Sequence, residues 1–203
     1  MVECVQSMTN IPTLHNRYFV MRHGHSLANE QGIIVSDPKN GVESYGLTEK
    51  GKQQAKDSIA KAATLYGFDA NLLVVSSDFL RCRETAECVS ALLSTSNVEL
   101  EPRLRERFFG ELELGPNTEY KRVWDLDVLN DDVGSFGAES TKQVLERGLA
   151  VIADLEANFA DETFLLVSHG DTLQILLTAF HNLTPGRHRE LSLLETAEIR
   201  PLI

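Results

Sequence analysis

Basic side chains follow three short apolar runs of the sequence, at the points where those runs end. The segments are Arg22-His23-Gly24 after Tyr18–Met21, Ser76-Ser77-Asp78 leading to Arg81 after Leu72–Val75, and Ser168-His169-Gly170 after Phe164–Val167. Arginine binds phosphate well because its planar guanidinium donates two charge-assisted hydrogen bonds at once. Glycine lets the backbone approach a ligand closely. If the three segments converge, they predict an oxyanion site, with phosphate as the first candidate ligand.

The elements that would position these residues are strands alternating with amphipathic helices. Apolar residues at helical spacing predict helices over 55–66, 86–93, 119–129, 145–159 and 171–180, with Thr48 as the expected cap of the first. A further short strand is predicted at 98–100, and residues 197–202 are expected to close the sheet as an edge strand. This order predicts an α/β fold with a mostly parallel central sheet and helices on both faces. Because ligands of such sheets bind beyond the carboxyl ends of the strands, the three basic segments are expected to meet there.

No repeat, low-complexity linker or shift in composition divides the chain. Residues 1–16 are interpreted as a polar N-terminal leader and residues 17–203 as a single domain. The loop at 30–46 and the segment at 110–136, apart from the helix predicted at 119–129, show no regular periodicity, and both are expected to line the pocket.

The composition excludes several classes of partner. The 203 residues include 30 acidic and 19 basic side chains, and the net charge of −11 argues against nucleic-acid binding and against a polybasic membrane anchor. The longest apolar stretches fall far short of the roughly 20 residues that a membrane helix needs. Cys4, Cys82 and Cys88 are too few and too unevenly spaced for a disulfide framework. With no signal peptide apparent at the N-terminus, a cytoplasmic location is expected.

Ordered motifs along the chain resemble those of the histidine phosphatase superfamily, and its phosphoglycerate mutase-like phosphatases in particular. They are Arg22-His23-Gly24-His25-Ser26, Leu47-Thr48-Glu49-Lys50-Gly51, Ser77-Asp78-Phe79-Leu80-Arg81 with Thr85-Ala86, Glu106, and Ser168-His169-Gly170. Phe109-Gly110-Glu111, Gly137-Ala138-Glu139-Ser140 and Ala197-Glu198-Ile199-Arg200 fit the same branch. The resemblance covers nearly the whole chain from Tyr18 onward and implies the phosphoglycerate mutase-like fold.

The resemblance also implies a role for each residue of these motifs. His23 would be the nucleophile that forms a phosphohistidine, which water then hydrolyses, and Glu106 would be the general acid. The residues expected to bind phosphate are Arg22, Asn29, Arg81, His169 and Gly170. Neither a metal ion nor another cofactor is expected, because the arginines supply the positive charge.

Some residues have a structural alternative to these roles. Glu106 stands in the charged run 101–107, and such runs usually form a solvated face. His15, His181 and His188 have no motif around them and are expected at the surface.

Four positions depart from the family pattern. His25 stands where glutamate or glutamine is commoner, and an exposed, structural role is favoured for it. Cys82 follows Arg81, and a buried, inert thiol is favoured over an oxidant-sensitive one. Leu114 replaces a usual glycine and Gln174 a frequent arginine, both where substrate specificity is set.

The function expected from these observations is hydrolysis of a small phosphorylated substrate by a phosphomonoesterase. Two alternatives are a phosphoglycerate mutase and a non-catalytic module that binds a phosphorylated ligand. Mutases of the family carry a pair of adjacent arginines, whereas this chain has Lys121-Arg122 in a tract that turns acidic at 125–132. That tract is expected to form a negative rim that disfavours bisphosphates. No nucleic-acid or membrane partner is expected, and the natural substrate and a homodimer are left open.

Overall fold

A five-stranded sheet organises the part of the chain that the computed structural model describes, residues 11–95 and 98–203. The strands are β1 Arg17–Arg22, β2 Leu73–Ser76, β3 Val98–Leu100, β4 Thr163–Ser168 and β5 Ile199–Pro201. Their spatial order is β3-β2-β4-β1-β5. β1, β2, β3 and β4 are parallel, and β5 pairs antiparallel with β1 at the edge. The predicted α/β fold with a mostly parallel sheet is confirmed.

Helices occupy most of the chain between the strands. They are α1 Leu27–Gln31, α2 Pro38–Gly41, α3 Glu49–Tyr66, α4 Leu80–Leu93, α5 Tyr120–Asp127, α6 Thr141–Asn158 and α7 Gly170–Phe180. Local sequence fixes where the long ones begin. The Thr48 hydroxyl accepts a hydrogen bond from Gly51 N–H at the start of α3, and Ser140 forms a reciprocal capping box with Gln143 at the start of α6.

Alternating side chains of the strands build a core on each face of the sheet. Tyr18 and Val20 of β1 pack with α6 and α7 on one face. Phe19 and Met21 of the same strand pack with α3 and α4 on the other. Because successive strand residues point to opposite faces, the apolar run predicted as a buried strand serves both layers.

A third, smaller apolar cluster holds the segments that cover the carboxyl ends of the strands. It consists of Ile34, Phe109, Leu112, Val123 and Ala138. Leu112 lies in the short 3₁₀ helix Gly110–Leu112, Val123 lies in α5, and the other three lie in connecting segments. Two further 3₁₀ helices, Asn117–Glu119 and Ser135–Gly137, belong to the same stretch of chain. The cluster places 30–46 and 110–136 over the same end of the sheet.

Two expectations about segment structure need adjustment. The stretch 30–46, expected as a loop, contains α2 and the end of α1. Most of the proposed leader and Cys4 lie outside the described residues, but Asn16 is buried and its side chain donates to Glu156 Oε1 at 3.0 Å. In 11–95 and 98–203, no helix has the length and apolar character needed to cross a membrane.

Candidate active site

His23 lies directly beyond β1 and is held by the sheet, since its backbone N–H donates to Ser168 O at 2.9 Å. Its Nδ1 is 2.8 Å from the carbonyl oxygen of Gly24, and its Nε2 accepts from Arg81 Nε at 3.1 Å. The proton therefore belongs on Nδ1 and the lone pair on Nε2. Burial, with the positive charges of Arg81 and Arg22, holds the pKa of His23 well below its usual range. A neutral imidazole whose Nε2 carries no proton is a competent nucleophile.

Arg81 comes from the first turn of α4 and is buried. Its Nη2 donates to Val35 O at 2.9 Å, whereas its buried Nη1 makes no hydrogen bond to the described residues. Thr85, one turn later, donates to Arg81 O and accepts from Gly24 N–H, which ties α4 to the His23 segment. An unpaired buried N–H is costly, so this donor is suited to an anionic ligand.

Arg22, the last residue of β1, presents a second unpaired donor. Its Nη1 donates to Leu194 O at 2.7 Å, and its Nε is buried without a partner among the described residues. Gly170 opens α7, and a Cβ there would lie 3.3 Å from Arg22 Cζ. The glycine thus lets the guanidinium pack against the first turn of the helix.

His169 caps the amino end of α7 and is fully buried. Its ring meets His23 edge to face with centroids 5.3 Å apart, and its Nε2 is 2.9 Å from Ser77 Oγ. Burial, followed by the charge of Arg81, holds its pKa well below the usual range. His169 packs behind His23 instead of lining the cavity described below, so its expected contact with phosphate stays a prediction.

Glu106 is 9% exposed, so the alternative of a solvated charge run is wrong for it. Its Oε1 accepts from Arg107 N–H at 3.0 Å and from the Thr172 hydroxyl at 3.2 Å. Oε2 accepts no hydrogen bond from the described residues. Burial and the nearby Asp171 carboxylate raise the pKa of Glu106, although Arg81 opposes them. The shift is in the direction of the protonated form that a general acid needs.

Asn29 lies in α1 and shares a reciprocal hydrogen-bond pair with Ser26. Asn29 Oδ1 accepts from Ser26 N and Oγ at 3.0 Å. This fixes the amide orientation, and Asn29 Nδ2 makes no hydrogen bond to the described residues. The residue that the family pattern assigns to phosphate thus has its donor unengaged.

Six of the seven sequence-predicted site residues line one cavity of about 330 Å³ at the carboxyl ends of β1, β2 and β4. Those six are Arg22, His23, Asn29, Arg81, Glu106 and Gly170. The cavity has ten further lining residues: Ser26, Ala28, Ile33, Val35, Asn117, Tyr120, Trp124, Asp171, Arg189 and Leu193. As expected, both 30–46 and 110–136 contribute to the wall.

One wall of the cavity, formed by Tyr120, Trp124 and Arg189, contains residues that sequence reasoning missed. Tyr120 and Trp124 stack with ring centroids 5.4 Å apart, and Arg189 lies over the Trp124 ring at 3.9 Å. The spacing of the two aromatic residues on a predicted helix was the available signal for them. Arg189 belongs to an irregular 3₁₀ segment, Pro185–Glu190, in which no sequence pattern marks it.

A buried network of charges supports this wall from behind. Arg107, fully buried, forms a two-pronged ion pair with Asp127 at 2.6 and 2.7 Å and a longer contact with Asp171 at 3.4 Å. Asp171 in turn accepts from His188 Nε2 at 3.0 Å. The expectation that His188 is a surface residue is wrong, because the imidazole is fully buried against this carboxylate.

The histidine phosphatase superfamily (branch 1) family model matches residues 18–202. The chain belongs to this superfamily. A Citrobacter koseri protein named probable phosphoglycerate mutase GpmB is 30% identical over 180 residues, which are 86% of this chain and 79% of that protein. The structure of a mycobacterial glucosyl-3-phosphoglycerate phosphatase has a TM-score of 0.71 at 25% identity, covering 90% of this chain and 87% of that one. An Entamoeba histolytica phosphoserine phosphatase shares the fold, with a TM-score of 0.72 at 21% identity over 91% and 88% of the two chains.

The superfamily pattern is varied here at His25 and Cys82 without changing the cavity wall. His25 Nδ1 lies 3.0 Å from Thr48 Oγ1, so the side chain holds the start of α3 and does not line the cavity. Cys82 is fully buried, and burial raises the pKa of its thiol to about 12. Both side chains have the structural character that was favoured for them.

The expected acidic rim does not form. Asp127 is buried against Arg107, Asp131 accepts from Gly186 N–H, and Asp132 pairs with Lys142. Asp125 pairs with Lys121 one turn away on α5. The run looks like a repelling surface in the sequence because three of its four partners, Arg107, Lys142 and Gly186, lie 10 to 55 residues away.

The two remaining departures have different structural consequences. Leu114, in place of a glycine, keeps a left-handed backbone with φ of 61°. Gln174, in place of an arginine, lies in α7, and its side-chain oxygen accepts from Arg189 Nη1. The replacement at position 174 therefore places a hydrogen-bond acceptor beside Arg189, which lines the cavity.

Proposed function

We propose that this protein is a phosphomonoesterase that works through a phosphohistidine on His23, without a metal ion. The observation that carries the proposal is the state of His23: neutral, with Nδ1 engaged by Gly24 O and an unprotonated Nε2 that accepts from Arg81 in the cavity lining. Nucleophile, cations and a carboxyl group whose pKa is raised then share one space.

The first step transfers the phosphoryl group to His23. Nε2 forms a bond to phosphorus as the bond to the ester oxygen breaks, and Glu106 gives its proton to the departing oxygen. The unpaired donors Arg22 Nε and Arg81 Nη1 would bind the equatorial oxygens, where negative charge must be stabilised. Asn29 Nδ2 and the Gly170 backbone complete the proposed phosphate contacts.

The second step returns the enzyme to its starting state. Water attacks phosphorus, the bond to Nε2 breaks, and the Glu106 carboxylate accepts the proton from water. Among the described residues, no group of three or more histidine, cysteine or acidic side chains is arranged to hold a metal. Arginines supply the charge in this proposal, so chelators should leave the rate unchanged.

The mutase alternative has support from the names of the curated relatives, but the cavity favours hydrolysis. A mutase must hold a doubly phosphorylated intermediate and exclude water from the phosphohistidine. Beyond Arg22 and Arg81, the described wall offers one further guanidinium, Arg189, and it also carries the carboxyl groups of Glu106 and Asp171. Water is therefore the expected acceptor.

The decisive experiment follows the phosphoryl group. Wild-type protein quenched with a labelled aryl phosphate should carry acid-labile label on His23, and His23→Ala should lose label and turnover while keeping its circular dichroism spectrum. Inorganic phosphate release should exceed interconversion of 2- and 3-phosphoglycerate, with or without added bisphosphate. Label on another residue would overturn the mechanism, faster isomerisation would establish the mutase, and binding without turnover would establish the binding module.

A further inference from the structure

Arg189 is a cation of the cavity wall that the proposed mechanism leaves unused. We propose that it binds a carboxylate of the substrate, so that the enzyme acts on phosphorylated carboxylic acids. The inference rests on the proposed function, which assigns the phosphate end of the cavity to Arg22 and Arg81. In this proposal Arg189 selects substrates by the part of the molecule that does not carry the phosphate.

The pairing of arginines across the molecule singles out this cavity. Eight of the twelve arginines form an ion pair with a described carboxylate. The four that do not are Arg17, Arg22, Arg81 and Arg189, and three of these line the same cavity. In a chain with a net charge of −11, unpaired guanidiniums gathered in one space indicate an anionic ligand. Three of them exceed what a single phosphate requires.

The guanidinium of Arg189 is held in place before any ligand arrives. One face lies over the Trp124 ring at 3.9 Å, and Nη1 donates to the side-chain oxygen of Gln174. Trp124 is itself stacked on Tyr120, with the ring planes 10° apart. The Nε and Nη2 edge makes no hydrogen bond to the described residues. This is the edge that Arg105 uses to bind both oxygens of Asp78 at 2.7 and 2.5 Å, so its geometry fits a carboxylate.

Unsatisfied buried donors lie on the same wall. Four buried side-chain polar atoms in 11–95 and 98–203 have no hydrogen-bond partner, and three belong to cavity residues: Arg22 Nε, Arg81 Nη1 and Trp124 Nε1. The third donor, Trp124 Nε1, belongs to a residue distant in the sequence from those of the proposed phosphate site. It lies on the ring that supports Arg189. The cavity lining thus has three buried donors in need of acceptors, one on Trp124 and two on the arginines.

The charge balance favours a carboxylate over a second phosphate. Arg189 is a single cation, and the neighbouring Asp171 carboxylate also faces the cavity. A phosphate dianion would bring two negative charges to one guanidinium beside this carboxylate, whereas a carboxylate monoanion matches the single charge and the planar fork of Arg189.

Matched substrate pairs test the proposal directly. O-phosphoserine and O-phosphoethanolamine differ only by a carboxylate, and 3-phosphoglycerate and glycerol 1-phosphate differ by a carboxylate in place of a hydroxymethyl group. Wild type should prefer the carboxylated member of at least one pair in kcat/KM. Arg189→Gln should lower kcat/KM for that member by about tenfold to a hundredfold, the value of a charge-assisted hydrogen bond, and lower it much less for its partner. No preference in either pair, or equal losses on both members, would overturn the proposal.

Arg187→Gln is the matched control, because it removes the same charge from the same 3₁₀ segment. Arg187 is exposed, pairs with Glu190 and does not line the cavity. Its kcat/KM values should stay within about twofold of wild type on every probe. Arg189→Lys should recover only part of the preference, since lysine keeps the charge and loses the fork. Equal effects of Arg187→Gln and Arg189→Gln would reduce the result to net charge and refute the site.

Binding without turnover separates this proposal from the proposed function. Trp124 is the only tryptophan in the chain, so intrinsic fluorescence reports on the ring beneath Arg189. In the His23→Ala background, 3-phosphoglycerate should bind more tightly than glycerol 1-phosphate, and adding Arg189→Gln should remove the difference. If no probe is hydrolysed by wild type but this difference persists, the carboxylate site stands and the phosphatase assignment fails. Equal affinities of the two probes would overturn the site whatever the catalytic result.

Discussion

His23 and Glu106 have pKa values moved in opposite directions, and each shift favours the uncharged form. Burial and the arginine charges lower the pKa of His23, whereas burial and Asp171 raise that of Glu106. The shifts widen the pH range in which the proposed nucleophile is unprotonated and the proposed acid is protonated. In the proposed mechanism, activity should therefore fall at low pH as His23 gains a proton and at higher pH as Glu106 loses one.

Replacement of Glu106 by glutamine should separate substrates by their leaving group. Glu106→Gln keeps the size and the acceptor oxygen but cannot supply a proton, so alkyl phosphates should lose about a hundredfold or more in kcat. Aryl phosphates should lose much less, because a phenolate leaves without protonation. Steady-state kinetics on both classes checks this, and equal losses would remove Glu106 from the acid role. Glu101→Gln is the matched control from the same charged run.

The pH limb of Glu106 should respond to the charge of Asp171. Asp171→Asn removes the carboxylate that raises the pKa of Glu106, while Arg107 keeps its pair with Asp127 and the charges of Arg22 and Arg81 stay in place. The pKa of Glu106 should fall, and the alkaline limb of kcat/KM for an alkyl phosphate should move to lower pH.

A pH–rate profile measures this limb. Asp132→Asn, at a surface ion pair with Lys142, is the control for net charge and should leave the limb in place. An unmoved limb in Asp171→Asn would show that Asp171 does not set the acidity of the site.

At the scale of elements, α3 contributes to the site through backbone contact and not through a catalytic side chain. A Cβ on Gly51, in its first turn, would lie 2.0 Å from the carbonyl oxygen of His25. A Cβ on Gly24 would lie 2.4 Å from Gly51 O. The helix and the segment after His23 therefore pack backbone to backbone, and two glycines at facing positions make this possible.

Gly51→Ala should displace the His23 segment. Overpacking at this contact should cost about 1–3 kcal/mol of stability. A movement of the nucleophile by about 1 Å should lower kcat by on the order of a hundredfold. Denaturant unfolding and steady-state rates check both effects. Lys50→Ala, an exposed change in the same turn, should alter stability by less than about 0.5 kcal/mol, and a Gly51→Ala variant with normal kcat would contradict the positioning role.

At the scale of the whole molecule, the site makes folding sensitive to acid. His23 and His169 are buried with pKa values well below the unfolded value of about 6.5. Their contribution to stability is complete above that pH and is lost as pH falls toward the folded pKa, because the unfolded chain then binds more protons. Each histidine should lower the free energy of unfolding by about 1.4 kcal/mol per pH unit in that window. The raised pKa of Glu106 should offset part of this loss as pH falls toward 4.5, because the folded protein then binds a proton that the unfolded chain does not.

Urea unfolding of wild type and His23→Ala between pH 5 and 7.5 tests this slope. The wild-type free energy of unfolding should decrease steadily below about pH 6.5. The free energy of unfolding of the variant should decrease less steeply, by about 1.4 kcal/mol per pH unit, because the variant lacks one neutral buried imidazole. Parallel curves for the two proteins would show that His23 does not contribute.

Much of the framework follows from sequence because the signals are local. The apolar runs at β1, β2 and β4 mark buried parallel strands, and β5 lies within the stretch predicted as an edge strand. Thr48 marks the start of α3. In a parallel sheet the carboxyl ends of the strands share one edge. The strand pattern of the sequence therefore suffices to place Arg22, His23 and Arg81 around one site. The short helices α1 and α2 were missed, since a few residues carry no periodicity.

Burial and pairing of polar residues were decided only by the tertiary structure. Three residues that look like surface charges in the sequence, His188, Asp127 and Arg107, belong to one buried network. The sequence does not reveal it, because the partners lie between 17 and 64 residues apart. Arg189 has no marking motif and acquires its place from Trp124 and Gln174, contributed by α5 and α7. Strand patterns and capping residues act over a few positions and can be read along the chain. The partner of a buried charge is chosen by packing between distant segments. The sequence therefore determined the fold and the placement of Arg22, His23 and Arg81 at one edge of the sheet, and the tertiary structure determined the rest of the cavity lining.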